Sequence, residues 1–210
     1  GRPLDDSLKV HRQEEILDSA AHLFAESGYH EADIQVLADR LGVGKGTIYR
    51  YFSSKEELFL AAVDRAMRRL KMAVDEKIEN VLEPLERLSL AIHAYLSFFS
   101  HQPDAVELLI LERAAFKDRT TSTYFQHRDA SLGPWRDLFQ KLIAEGKCRD
   151  IPVERIISVL SDLLYGTMFT NHFTGRRSTF EAQANDILDV LFNGILTAPE
   201  QQRIRGVEPQ

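Results

Sequence analysis

From Ile16 to Ile195 the apolar residues recur at steps of three and four, and no stretch alternates with period two between turn residues. That pattern restricts the chain to packed helices, because a 3.6-residue turn gathers such positions on one face whereas a strand splits them between two. Chain breakers divide the pattern into segments. Ile16, Ala20, Leu23 and Phe24 share a face in the first, which Gly28 closes. Asp33 suits the N-cap of the second, with Ile34, Leu37, Ala38 and Leu41 inward before Gly42. A short third runs from Lys45 to about Phe52. Ser54 and Glu57 form a capping box that opens a long helix to about Leu82. Pro84 opens a helix with Leu85, Leu88, Ile92, Tyr95, Leu96 and Phe99 inward, and Pro103 opens the next, to about Phe116. One longer helix is expected over residues 121–145, kinked at Gly133-Pro134 and closed by Gly146. Pro152 opens a strongly apolar helix to about Phe173, broken by Gly175. Ser178 and Glu181 make a second capping box before a last helix that buries Ala184, Ile187, Leu188, Leu191, Phe192 and Ile195. The polar tail from Pro199 is expected to fray. The expected fold is all-α, with about nine helices and no internal repeat.

Composition narrows the function. No apolar run approaches the roughly 20 residues of a membrane span. No basic-then-apolar segment opens the chain, so no signal peptide is expected, and no membrane partner. Cys148 is the single cysteine, which excludes an intrachain disulfide and fits a reducing, cytoplasmic setting. With 26 Lys and Arg against 32 Asp and Glu, the net charge is −6, so any surface that attracts nucleic acid must be local.

One stretch is locally basic. Residues 41–58 read LGVGKGTIYRYFSSKEEL, and within 40–55 Arg40, Lys45, Arg50 and Lys55 are charged while no residue is acidic. Glycines beside a lysine suggest a phosphate loop, but G-x-x-x-x-G-K-[ST] fails because Lys45 precedes Gly46. A dinucleotide fingerprint needs a preceding strand, and VLADRLG is the end of an amphipathic helix. The pattern fits a helix-turn-helix instead. Gly42-Val43-Gly44 makes the turn, Val43 is the apolar residue inside it, and Ile48 and Phe52 face the first helix. Lys45, Thr47, Tyr49 and Arg50 are left outward, and Gly46 leaves room for close approach, as on a helix read into a DNA major groove. A solvated helix face is the plain alternative for such a charge cluster.

These residues closely resemble the tetracycline-repressor (TetR) family. The segment ILDSAAHLFAESGYHEADI resembles the family's A-x-x-L-F-x-x-x-G-Y, and LADRLGVGKGTIYRYFSSKEELF resembles its G-V-x-K-G-T-[IL]-Y-x-Y-F-x-S-K-E-E-L run. The resemblance covers residues 12–60 and departs in three places. Ala32-Asp33 stands for a pair of hydroxyl residues, Val36 for an acidic one and Gly44 for a serine. It implies a three-helix DNA-binding head over residues 1–55, with an N-terminal arm over 1–10, and a ligand-binding and dimerising body over 56–210. It also implies a homodimeric repressor of a near-palindromic double-stranded operator, released by a small-molecule effector, with no enzymatic activity and no cofactor. Lys45, Gly46, Thr47 and Tyr49 would lie near bases or the adjacent sugar-phosphate, and Arg50, Tyr51 and Lys55 would contact the DNA backbone. Arg2 either enters the minor groove or belongs to an arm without a role.

The body is less specific. The helices near 153–173 and 179–196 are the most apolar pair, and the resemblance makes them the dimer interface through Leu160, Leu164, Leu188, Leu191, Phe192 and Ile195. An ordinary core gives the same pattern. His93, Phe98, Glu112, Trp135, Tyr165, Met168, Phe169 and His172 are the candidate effector contacts, although each reads more readily as plain core or surface. Tyr165, Met168, Phe169 and His172 share one stripe. His93, His101 and His172 are too scattered for a metal site, and no catalytic arrangement stands out. An effector that favours one conformation of the body is expected to move the long helix after Ser54 and so change the spacing of the two heads.

Overall fold

The computed structural model describes residues 3–175 and 178–194 and contains ten helices there. These are α1 (Pro3–Glu31), α2 (Ile34–Arg40), α3 (Lys45–Tyr51), α4 (Lys55–Ile78), α5 (Pro84–His101), α6 (Pro103–Ala115), α7 (Thr123–Ser131), α8 (Gly133–Ala144), α9 (Val153–Thr174) and α10 (Phe180–Asn193). The one helix expected over 121–145 is two. Pro134 lacks the N–H that a continuous helix would bond back to Ala130, so α7 ends and α8 restarts with the proline in its first turn. Gly28 interrupts α1 at φ 77°, after which a last helical turn carries on to Glu31. The α1 helix reaches back to Pro3, so much of the expected arm is helical.

Caps fall mostly where sequence chemistry puts them. Asp33 accepts from the Gln35 N–H at 2.8 Å, and Ser54 Oγ accepts from the Glu57 N–H at 3.0 Å. Glu57 returns the bond one residue early, accepting from the Ser53 N–H at 2.7 Å as well as from its hydroxyl. The second box is displaced too. Thr179, not Ser178, caps α10 by accepting from the Ala182 N–H at 3.2 Å, while Ser178 Oγ accepts from the Gln183 amide. The buried Gln183 then exchanges amide hydrogen bonds with Asn171 at 2.6 and 2.8 Å, which fixes α10 against α9.

Two cores result. The first joins Ile16, Leu17, Leu23 and Phe24 of α1 to Leu37 of α2, Ile48 of α3 and Phe59 and Val63 of α4, and continues into Leu108 of α6, Tyr124 of α7 and Met168 of α9. The second is built by Leu88 and Ile92 of α5, Phe139 and Leu142 of α8, Ile157 and Leu160 of α9 and Leu188 of α10. α4 is about 36 Å long and belongs to both ends of the molecule. Its first half packs against α1 and shares the first core with α2 and α3, and Arg65 there pairs with Glu14 and Asp18 of α1. Its second half runs along the body.

Candidate nucleic-acid interface and body cavity

The turn between α2 and α3 is set by backbone bonds. Gly42 adopts φ 63°, where a side chain would be strained. The Val43 N–H bonds to the Ala38 carbonyl at 3.0 Å and the Gly42 N–H to the Asp39 carbonyl at 3.1 Å, which is a Schellman motif. Val43 folds back onto the core, and the chain leaves at the angle that starts α3 from Gly44. Ile48 is fully buried and Phe52 nearly so, which fixes the rotation of α3.

That rotation decides what faces outward. Tyr49 is 41% exposed, unusual for so large a ring, and Arg50 is exposed with no ion-pair partner among the described residues. A Cβ at Gly46 would meet nothing within 4 Å, so the surface there is open. Lys45 Nζ lies 3.4 Å from Asp33, an ion pair open to solvent. The Gln35 N–H first and the Lys45 ammonium second hold the Asp33 carboxyl below its usual range. Lys55 is held more firmly, donating to the His30 carbonyl at 2.9 Å with its ammonium 5.3 Å from the Tyr29 ring centre. Thr47 and Tyr51 are half-buried, Tyr51 against the core. Arg40 flanks the face and pairs with Glu26 at 2.9 Å.

The body holds a cavity of about 290 Å³ between α4, α5, α7, α8 and α9. Its walls are mainly apolar, with Leu70, Val74 and Ile78 of α4 opposite Leu88 and Ile92 of α5 and Leu164 of α9. Tyr95 and Tyr124 also line it, their hydroxyls 2.9 Å apart. Burial pushes the Tyr124 phenol up to about 12 and the Tyr95 phenol well above its usual value, so both are neutral donors. α4 thus contributes to the core behind α2 and α3 at one end and to a cavity wall at the other.

A profile described as "Bacterial regulatory proteins, tetR family" matches residues 16–62, which are α1 from its first fully buried residue through α2 and α3 into α4. Residues 16–62 are a TetR-family segment. Over 98 residues it is 34% identical to the transcriptional activator FasR of Mycolicibacterium smegmatis, a match covering 47% of this chain and 45% of that one. The chain therefore matches less than half the length of that relative. The fatty acid metabolism regulator protein of Bacillus subtilis is 24% identical over 188 residues, 86% of this chain and 94% of that protein. The crystal structure of FadR from Bacillus subtilis in complex with stearoyl-CoA superposes with a TM-score of 0.70 at 21% identity, covering 87% of this chain and 99% of that one.

The residues expected at the DNA lie together on α3 and its flank, while Arg2 falls outside the described residues. The expected effector contacts do not come together. Of the eight, Trp135 alone lines the body cavity. Phe98 borders a separate, more polar groove between α1, α4 and α6. The stripe on α9 is packing: Tyr165 meets Tyr124 and Phe125, the buried Met168 takes a 3.8 Å contact from the Tyr95 hydroxyl, and Phe169 stacks on Phe173. His172 pairs with Glu107 at 3.0 Å, and His93 lies 3.2 Å from Asn185. Glu112 is 1% exposed and caps α7 from outside, accepting from the Thr123 N–H at 3.0 Å and hydroxyl at 2.7 Å, with Arg119 at 3.3 Å. Glu112→Ala strands the two Thr123 donors and is expected to cost about 1–3 kcal/mol in a urea unfolding titration. A loss below roughly 0.5 kcal/mol would contradict that role.

The dimer candidates are also redistributed. Leu160 and Leu164 line the cavity, Leu188 is in the second core, Leu191 packs against that core, and Ile195 is outside the described residues. Phe192 is 48% exposed. The cavity wall on α4 was missed, although Met67, Leu70, Val74 and Ile78 follow one another at helical spacing in the sequence.

Proposed function

We propose that this TetR-family regulator is a repressor that binds a near-palindromic operator as a homodimer and is released by a small molecule bound in the body cavity. The observation that carries the reading is the outward face of α3: Gly46, Tyr49 and Arg50 stand open, with Lys45 half-exposed beside them, on a helix whose other side is locked by Ile48 and Phe52. Its size suits a major groove, and phosphate contacts from Lys55 and Arg50 would set its register.

Two copies are needed to meet successive grooves about 34–36 Å apart. The surface that suits pairing is the far side of the expected helices. Val159, Leu163 and Phe173 of α9 are 62%, 42% and 68% exposed, and Val190 and Phe192 of α10 are 51% and 48% exposed. Val159, Leu163 and Phe173 share one face of α9, and a water-facing stripe of this kind favours burial against a second copy. The head occupies residues 1–55 and the body 56–210, joined through α4.

The effector's apolar character follows from the cavity walls and agrees with the relatives named for fatty acid metabolism and stearoyl-CoA. Selection from random duplexes followed by footprinting is expected to yield a two-fold symmetric site, bound by a species of dimer mass. With about six phosphate contacts per dimer, affinity should fall by about a thousandfold or more between roughly 50 and 200 mM salt. Recovery of no duplex, or an affinity indifferent to salt, would overturn the proposal.

A further inference from the structure

The charged residues of the cavity wall are not equivalent. Lys71 pairs with Asp75, His127 with Asp64 at 2.7 Å, and Arg128 with Asp129 at 2.7 Å. Arg87, half-buried in the first turn of α5, also lines the cavity and has no carboxylate partner among the described residues. The single carboxylate in the wall, Asp75, is already taken by Lys71. A cation has nothing to meet there, and a neutral ligand leaves Arg87 without a counter-charge. From Arg87, α5 runs about 12 Å to Tyr95, with Leu88, Ala91 and Ile92 along the wall between them. The Tyr95–Tyr124 pair closes the far end, each hydroxyl satisfied by the other or by Met168.

Resting on the reading of the body as the effector site, we infer that the cavity takes an unbranched aliphatic chain of medium length carrying one anionic group, the anion seated on Arg87 and the methyl end toward the tyrosines. The run of about 12 Å from Arg87 to Tyr95 sets the length of chain that can lie between the guanidinium and the tyrosines. An extended octadecanoyl chain is longer than that run. The guanidinium supplies paired donors to a carboxylate or phosphate, and charge-assisted bonds of this kind dominate the choice between ligands of equal apolar area.

Trp135 is the sole tryptophan and stands in the cavity wall, so its emission reports occupancy without DNA. Decanoate, decanol, octadecanoate and decanoyl-CoA are titrated into the full chain. Decanoate is expected to bind about ten- to a hundredfold tighter than decanol, and tighter than octadecanoate. Arg87→Leu should remove the preference for decanoate over decanol, and Arg87→Lys should keep part of it. Binding of decanoyl-CoA alone, still dependent on Arg87, assigns the anion to a phosphate of the carrier and upholds the inference. Equal affinity for decanoate and decanol in the unmodified chain overturns it, whatever the stability of the variants. So does an unchanged preference in Arg87→Leu, or no response to any probe. None of these results bears on operator binding, which is measured separately.

Discussion

Lys45→Ala and Tyr49→Ala are each expected to weaken specific operator binding by about 1–3 kcal/mol, roughly five- to a hundred-and-fifty-fold, while leaving the fold and the dimer intact. The separation of effects follows from their positions. Neither side chain enters a core cluster, and the Lys45–Asp33 pair is open to water, where such pairs contribute little to stability. Losing it also spares the α2 cap, because Asp33 keeps its bond from Gln35. Fluorescence anisotropy with the selected operator, alongside melting curves and sedimentation, separates binding from folding. Unchanged affinity in both variants would remove α3 from the DNA interface. If Lys45 contacts phosphate rather than a base edge, its variant should lose affinity evenly across sequences and lower the salt slope by about one.

Phe59→Ala should be the most destabilising single change, at about 3–5 kcal/mol of the roughly 5–15 kcal/mol that holds a domain of this kind together. Phe59 is fully buried between α1 and the residue that follows α6. Its ring lies edge-on to Phe24 at 5.0 Å and to Tyr29 at 5.1 Å, and stacks on Phe116 at 5.6 Å. Truncation leaves a cavity that α1, α4 and the segment after α6 cannot close together, since each is held elsewhere by its own contacts. Urea unfolding measures the loss, and a value under about 1 kcal/mol would mean that the junction repacks freely. The same ring cluster ties α4 to the head, so a surviving fraction of folded Phe59→Ala protein is expected to respond less to any effector that binds along α4.

Local chemistry made much of the fold legible. Asp33 and Ser54 announced their helices because a short oxygen-bearing side chain next to an apolar-periodic run has few better uses than capping free N–H groups. The misplaced second box shows the limit. Ser178 and Thr179 are both competent caps, and the choice between them depends on Gln183, which engages Ser178 only because Asn171 on another helix holds its amide in place. Glu112 misled for a related reason. A carboxylate in an apolar helix signals a buried partner, but nothing in its neighbourhood says that the partner is the backbone of a segment eleven residues on. On α9 the apolar stripe was visible, but what covers each residue was not.

The sequence by itself determined that this chain is helical, where most helices begin and end, and which segment resembles a TetR-family head, since periodicity, caps and a contiguous motif are written within a few residues of one another. Tertiary structure alone decided that Leu160 and Leu164 face a cavity while Val159 and Leu163 face water, that Arg87 stands without a carboxylate, and that α4 joins one core to the wall of that cavity. Those outcomes depend on which helix packs against which, and apolar spacing records only that a face is covered, never by what.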